Sequence, residues 1–178
     1  MDTKEIDAIC IRSIDYAEND KIITLYGTDV GKTSMVARGA KKPKAKLKYA
    51  ASPFCFGHYY YSKKGNKQTL TGCDMYESFF DLSFDPEKFY AGIVVLEILD
   101  KMGMEDDFNK DLFVTCLNGL KELCFSQVAP KEYLFKLLRK ILLTLGYECN
   151  AITLLDYYNY LRYTHSVNIN SLKELINL

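Results

Sequence analysis

The spacing of apolar residues changes once along this chain, at Asp85-Pro86, and that change limits what it can fold into. Upstream, short runs rich in β-branched residues are separated by turn residues, which is the pattern of strands. The runs are Asp7 to Ile11, Lys21 to Tyr26, Lys32 to Arg38, Phe54 to Ser62 and Lys67 to Met75. Gly27-Thr28-Asp29-Val30-Gly31 reads as a hairpin turn, and Lys63-Lys64-Gly65-Asn66 as the turn before the last strand. In the third run Met35 and Ala37 share one face, with Ser34 and Arg38 on the other. Five short strands with no helix of note between them predict a small barrel. The OB-fold is the common five-stranded case that binds single-stranded nucleic acid.

Downstream the period is helical. Phe89, Ile93, Leu96 and Leu99 recur at three- and four-residue steps, as do Leu112, Cys116, Leu120 and Cys124. Pro130 suits a first helical turn, and Gly146 is expected to stop the helix it begins. A fourth helix is expected over about 152–163. Ser171-Leu172-Lys173-Glu174 has capping-box spacing and announces a fifth. The expected fold is therefore α+β: a five-stranded OB-fold β-barrel over residues 1–80, then an α-helical bundle over residues 81–178.

A chain of 178 residues can bury roughly 70% of its unfolded surface. No apolar run approaches the ~20 residues needed to span a bilayer, and Met1 to Ser13 lacks the basic-then-apolar order of a secretory signal. Cys10, Cys55, Cys73, Cys116, Cys124 and Cys149 are scattered without a CxxC pair. That spacing speaks against a structural zinc and for buried free thiols in a cytoplasmic protein.

Basic and acidic residues number 23 each, but they are unevenly placed. Residues 1–80 hold 13 basic and 9 acidic side chains, and residues 81–178 hold 10 and 14. Such asymmetry suggests two surfaces with different partners. Between Val30 and Cys73 there is no aspartate or glutamate, while Lys32, Arg38, Lys41, Lys42, Lys44, Lys46, Lys48, Lys63, Lys64 and Lys67 all fall there. Tyr49, Phe54, Phe56, Tyr59, Tyr60 and Tyr61 run through the same stretch. Cations that neutralise phosphates release condensed counterions, and adjacent rings offer stacking platforms for unpaired bases. Ala40 to Lys48 alone also fits a solvated loop without a partner. Arg38, Lys63, Lys64 and Lys67 come from other predicted strands and argue for one continuous patch. Strand alternation allows at most one or two of Tyr59, Tyr60 and Tyr61 to face a ligand.

Other motifs are less productive. Gly31-Lys32-Thr33 lacks the earlier glycine of a phosphate loop, since Tyr26 holds that position, and it leads into a strand-like run rather than a helix. His58 and His165 lie in different predicted domains, and neither is paired with a nucleophile. Glu105-Asp106-Asp107 reads as solvated charge in an inter-helix loop. The tyrosines of Asp156 to Tyr163 fit core packing, with a partner groove as the alternative. No catalytic, metal or cofactor site assembles from these residues.

The segment Ala8 to Leu25, with Arg12-Ser13 and Asp15-Tyr16 before a second strand, resembles the opening of the bacterial RecO family. Gly31 to Lys44 is similar to that family's next segment: a glycine-led strand, then Ala37-Arg38-Gly39-Ala40 and a basic loop containing Pro43. Pro53-Phe54 fits the start of its fourth strand, and Leu142 to Tyr147 its helix end before a zinc module. The resemblance implies an OB-fold, a helical C-terminal domain and binding of single- and double-stranded DNA. It also implies strand annealing, recombinase loading, and partnership with RecR and single-strand-binding protein. Carried over by position, Lys32, Arg38, Lys41, Lys42 and Lys44 would contact DNA. Glu148 to Thr153 has no cysteine pair where many members bind zinc, so a short form without that module is expected. The expected function is a non-catalytic DNA-binding repair mediator. The alternative is a protein-interaction adaptor with weak DNA binding.

Overall fold

The computed structural model describes residues 2–178. The chain divides into two compact units. One takes it up to Ser78 and adds Gly103–Phe108; the other comprises Phe79–Met102 and Asn109–Leu178.

The first unit is a closed barrel of β1 (Asp2–Tyr16), β2 (Asp20–Gly27), β3 (Gly31–Ala37), β4 (Phe56–Lys64) and β5 (Lys67–Glu77), in the spatial order β1-β2-β3-β5-β4. It is the predicted OB-fold. β1 is the long strand that makes closure possible. Its first half pairs with β4, from Asp2↔Lys63 to Ile9↔Phe56, and its second half with β2, out to Tyr16↔Asp20. A register shift between Cys10 and Arg12 marks the bend between the two ladders. The opposite seam closes where β3 meets β5 in parallel at Val36↔Thr69.

Met35 and Ala37 are buried and Ser34 and Arg38 exposed, as alternation requires. On β4, Tyr59 and Tyr61 enter the core, while His58 and Tyr60 face out and stay half-buried. β4 starts at Phe56, two residues later than the apolar run suggests. Phe54 is buried with φ at 72°, a left-handed backbone that cannot continue a strand.

Between β3 and β4, residues 38–55 form consecutive turns closed by bonds such as Ala51 N–H to Leu47 O at 2.9 Å. Ala40, Ala50 and Ala51 are buried in the barrel core, and Leu47 packs against it. The segment plugs one end of the barrel.

The helical unit has α1 (Pro86–Met102), α2 (Lys110–Phe125), α3 (Pro130–Thr144), α4 (Leu154–Asn159) and α5 (Asn170–Asn177). α1 is central: Ala91, Val94, Val95, Leu96, Ile98 and Leu99 are buried, and it packs on α2, α3 and α5. Gly146 ends α3 with φ at 80°, and Tyr147 N–H reaches back to Leu142 O at 2.8 Å. α4 runs on into a π-helical turn over Tyr160–Thr164. Tyr157 and Tyr158 are buried, as core packing predicts. No helix is long and apolar enough to cross a membrane among the described residues.

The capping box falls elsewhere than expected. Thr153 and Asp156 cap α4 reciprocally, whereas Ser171 lies inside α5 and bonds Glu97 of α1. A carboxylate from another helix replaces the local cap that the spacing suggested.

Candidate nucleic-acid interface

The β3–β4 plug explains how a lysine-rich segment is displayed. Its small and apolar residues point into the barrel, so Lys42, Lys44, Lys46 and Lys48 are left exposed. Pro43 removes one donor and one backbone freedom between them. Both ends are fixed. Gly39 N–H donates to Asp20 Oδ1 at 2.7 Å and Lys41 N–H to Asn19 O at 3.0 Å. At the other end, Tyr59 OH donates to Ala50 O and Cys55 O at 3.1 and 2.9 Å.

Lys41 differs from its neighbours. Its ammonium lies 3.1 Å from Asp15, so part of its charge is already answered. Tyr49, on the same segment, is 69% exposed.

A groove of about 440 Å³ runs beside the β3–β5 seam. Tyr16 and Asp20 line it from the β1–β2 corner, Arg38 from the end of β3, and Asn66 and Lys67 from the β4–β5 turn. These are the loops and the strand face with which OB-folds hold oligonucleotides. Lys63 and Lys64 are exposed on the same hairpin, with Lys64 directly across the ladder from Lys67. The fold thus places Arg38 and Lys67 in one groove. Lys63 and Lys64 sit beside it, and Lys41 to Lys48 follow on directly from Arg38.

Lys32 is not part of that grouping. It begins β3, about 20 Å of strand away from Arg38, and its N–H bonds Met104 O at 2.9 Å. Glu105 bridges to Gly31 and Lys32 there, and Asp106 N–H donates to Val30 O at 3.0 Å. The backbone of Glu105-Asp106-Asp107 is therefore a strap against the β2–β3 turn, while the three carboxylates are exposed between α1 and α2, as solvated loop charge. Gly31-Lys32-Thr33 lies in strand, which removes the phosphate-loop reading.

Among the aromatics of the basic stretch, Phe54, Tyr59 and Tyr61 are buried, and Tyr60 OH bonds Asp74 at 2.8 Å. Tyr16, half-exposed at the groove, was missed because it lies outside the acid-free stretch, on a β1 end that no apolar run marks.

His58 belongs to the outward face of β1, β4 and β5. Its Nδ1 is 2.8 Å from Asp7 and its Nε2 3.5 Å from Glu5. The hydrogen bond to Asp7 pushes the imidazole pKa up, against the opposing effect of burial. His165 packs between the rings of Tyr147 and Tyr160. No group of three or more His, Cys, Asp or Glu side chains is placed to hold a metal among the described residues.

Comparison with known proteins adds a family. Residues 1–79 match the family model described as Recombination protein O N terminal. "DNA repair protein RecO" of Shouchella clausii is 34% identical over 71% of this chain and 49% of its own length. The protein of the same name from Desulforamulus reducens is 32% identical over 67% and 47%. That of Acetivibrio thermocellus is 27% identical over 83% and 59%. The chain spans about half the length of the curated relatives it matches.

Proposed function

The chain belongs to the RecO family of DNA repair proteins, and from that premise we propose that it is a non-catalytic mediator that binds single- and double-stranded DNA through residues 1–80. The observation that supports this best is the anchored plug, which holds Lys42, Lys44, Lys46 and Lys48 outward while Ala40, Leu47, Ala50 and Ala51 occupy the core. Arg38, Lys63, Lys64 and Lys67 extend the surface, with Lys41 and Lys32 peripheral. Phosphate contacts of this kind hold strands without reading their sequence. Base pairing between two held strands would then supply specificity, which is what annealing requires. Recombinase loading with RecR and single-strand-binding protein follows from the same reading, with residues 81–178 as the unit that docks partners.

The adaptor reading has one observation in its favour. Ile152 and Tyr163 on the helical unit are 85% and 73% exposed, apolar surface suited to a protein partner.

Fluorescence anisotropy of a single-stranded oligonucleotide over a salt series separates the two. Four or five phosphate contacts give a log–log slope of roughly −3. Lys42→Ala/Lys44→Ala/Lys46→Ala should make it shallower by about two units. An unchanged slope in the triple variant rejects the plug as a DNA surface and leaves the adaptor.

A further inference from the structure

Tyr157 is fully buried, yet among the described residues its hydroxyl has no hydrogen-bond partner. A buried tyrosine O–H usually finds one, because an unpaired hydroxyl forfeits the water it bonds in the unfolded chain. Tyr157 also lines a cavity of about 250 Å³ in the helical unit. One water takes up ~30 Å³ of liquid, so a single water does not fill that space.

Three pieces of chain build the cavity. α3 supplies Arg139 and Leu143, the link after Gly146 supplies Tyr147, Glu148 and Asn150, and α4 supplies Tyr157. The two rings are held in place. Tyr147 N–H donates to Leu142 O at 2.8 Å, and its ring packs on His165 with centroids 4.2 Å apart. The capping box of Thr153 and Asp156 sets the start of α4, and the Tyr157 ring packs on Phe135 at 5.2 Å. The phenol is therefore not free to turn toward a partner elsewhere.

The polar groups on the wall are chiefly donors. Arg139 is exposed and makes no salt bridge or hydrogen bond among the described residues. Its guanidinium presents a planar fork that suits an oxyanion. Burial pushes the Tyr157 phenol up, and Cys149 adds to this while Arg139 opposes it, so the hydroxyl keeps its proton and can donate. Asn150 adds an amide. Glu148 is a carboxylate on the same wall, and its charge lowers the affinity for an anion without adding a donor. Donors arriving from three pieces of chain suit a tetrahedral phosphate, with several acceptor oxygens, better than a carboxylate with two.

We propose that this cavity binds the phosphate group of a small molecule through Arg139 and the Tyr157 hydroxyl. Arg139 takes two oxygens in its fork, Tyr157 donates to a third, and Leu143 and Tyr147 border the space that remains. The site lies wholly in the helical unit and does not depend on what the barrel binds.

The test is an NMR titration of the full chain with inorganic phosphate at fixed ionic strength, reading backbone amide shifts. Saturable shifts should appear from Tyr147 to Asn150, separate from any at the exposed lysines of the plug. Tyr157→Phe removes only a hydroxyl that bonds nothing in the fold, so it should be at least as stable as wild type yet bind phosphate roughly tenfold more weakly. Arg139→Gln should abolish the saturable shifts, and Glu148→Gln should strengthen binding. Glycerol phosphate separates two sources of the same group. Tighter binding than inorganic phosphate makes the ligand a phosphate monoester, and equal or weaker binding makes it free phosphate. No saturable shift at Tyr147 to Asn150 with either probe, or unchanged affinity in Tyr157→Phe, overturns the proposal and leaves water as the partner of the phenol.

Discussion

Glu97 on α1 accepts hydrogen bonds from both the backbone N–H and the hydroxyl of Ser171, at 2.9 and 2.6 Å, and so caps α5 from another helix. The same carboxylate takes Asn170 N–H at 3.1 Å and pairs with Lys101 at 2.9 Å. Glu97→Gln should therefore lower the stability of the helical unit by about 1–3 kcal/mol. Glu174→Ala should change it by less than about 0.5 kcal/mol, because Glu174 is exposed and caps nothing. Urea unfolding followed by circular dichroism measures both, and equal effects would restore a local cap at Ser171.

Acid should act through the same residue. Burial pushes the Glu97 carboxyl up, but hydrogen bonds from Ser171, Lys101 and Asn170 outweigh it and hold the pKa below the ordinary value. A depressed folded-state pKa gives stability that is present above the unfolded value of about 4.3 and lost as pH falls through the folded one. Wild type should lose more stability than Glu97→Gln between about pH 5 and pH 3. Parallel stability curves for the two proteins would contradict this.

His58 has the opposite sign. Its pKa is raised, first by the hydrogen bond to Asp7 and further by Glu5, with burial opposing. Its contribution is fully present below the unfolded value of about 6.5 and is lost as pH rises through the folded value. An NMR titration should place the imidazole above about 6.5, and Asp7→Asn should bring it down. A wild-type midpoint at or below the ordinary value would mean that the 2.8 Å contact is not populated in solution.

The strand count, the hairpin at Gly27 to Gly31 and the helix stop at Gly146 were legible because each depends on neighbours in sequence. The plug was not: Ala40, Leu47, Ala50 and Ala51 form no period, and only the barrel end they fill shows why they are apolar. The lysines were visible as charge, but their display depends on those anchors. Lys32 shows the limit of charge counting. It belongs to the acid-free stretch in sequence, yet in space it lies against Glu105, a residue 73 positions later. Glu97 and Ser171 were equally out of reach, since no local pattern joins residues on α1 and α5.

Gly31 should be far less replaceable than Gly65, another barrel glycine with a left-handed backbone. Its φ is +60°, and an added Cβ would come within 2.5 Å of Met104 O and 2.6 Å of Asp107 O. Gly65 has nearly the same φ, +58°, with nothing within 4 Å of an added Cβ. Gly65→Ala should cost about 1 kcal/mol from backbone strain alone. Gly31→Ala should cost clearly more, because the strap must move as well. Chemical denaturation of the two variants checks the order, and equal losses would show that the strap is not held against the turn.

Leu47 offers a way to separate display from charge. It packs against the barrel core between exposed Lys46 and Lys48, so Leu47→Ala loosens the segment without removing a cation. Counterion release depends on how many phosphates are neutralised, so the salt slope should stay as in wild type. Affinity should fall several-fold, since a loosened segment must be ordered at the moment of binding. The lysine variants should change the slope itself. Anisotropy titrations of Leu47→Ala at three salt concentrations test this directly. A flattened slope would mean that Leu47 sets which lysines reach the strand, and unchanged affinity would mean that the plug gains nothing from its anchorage.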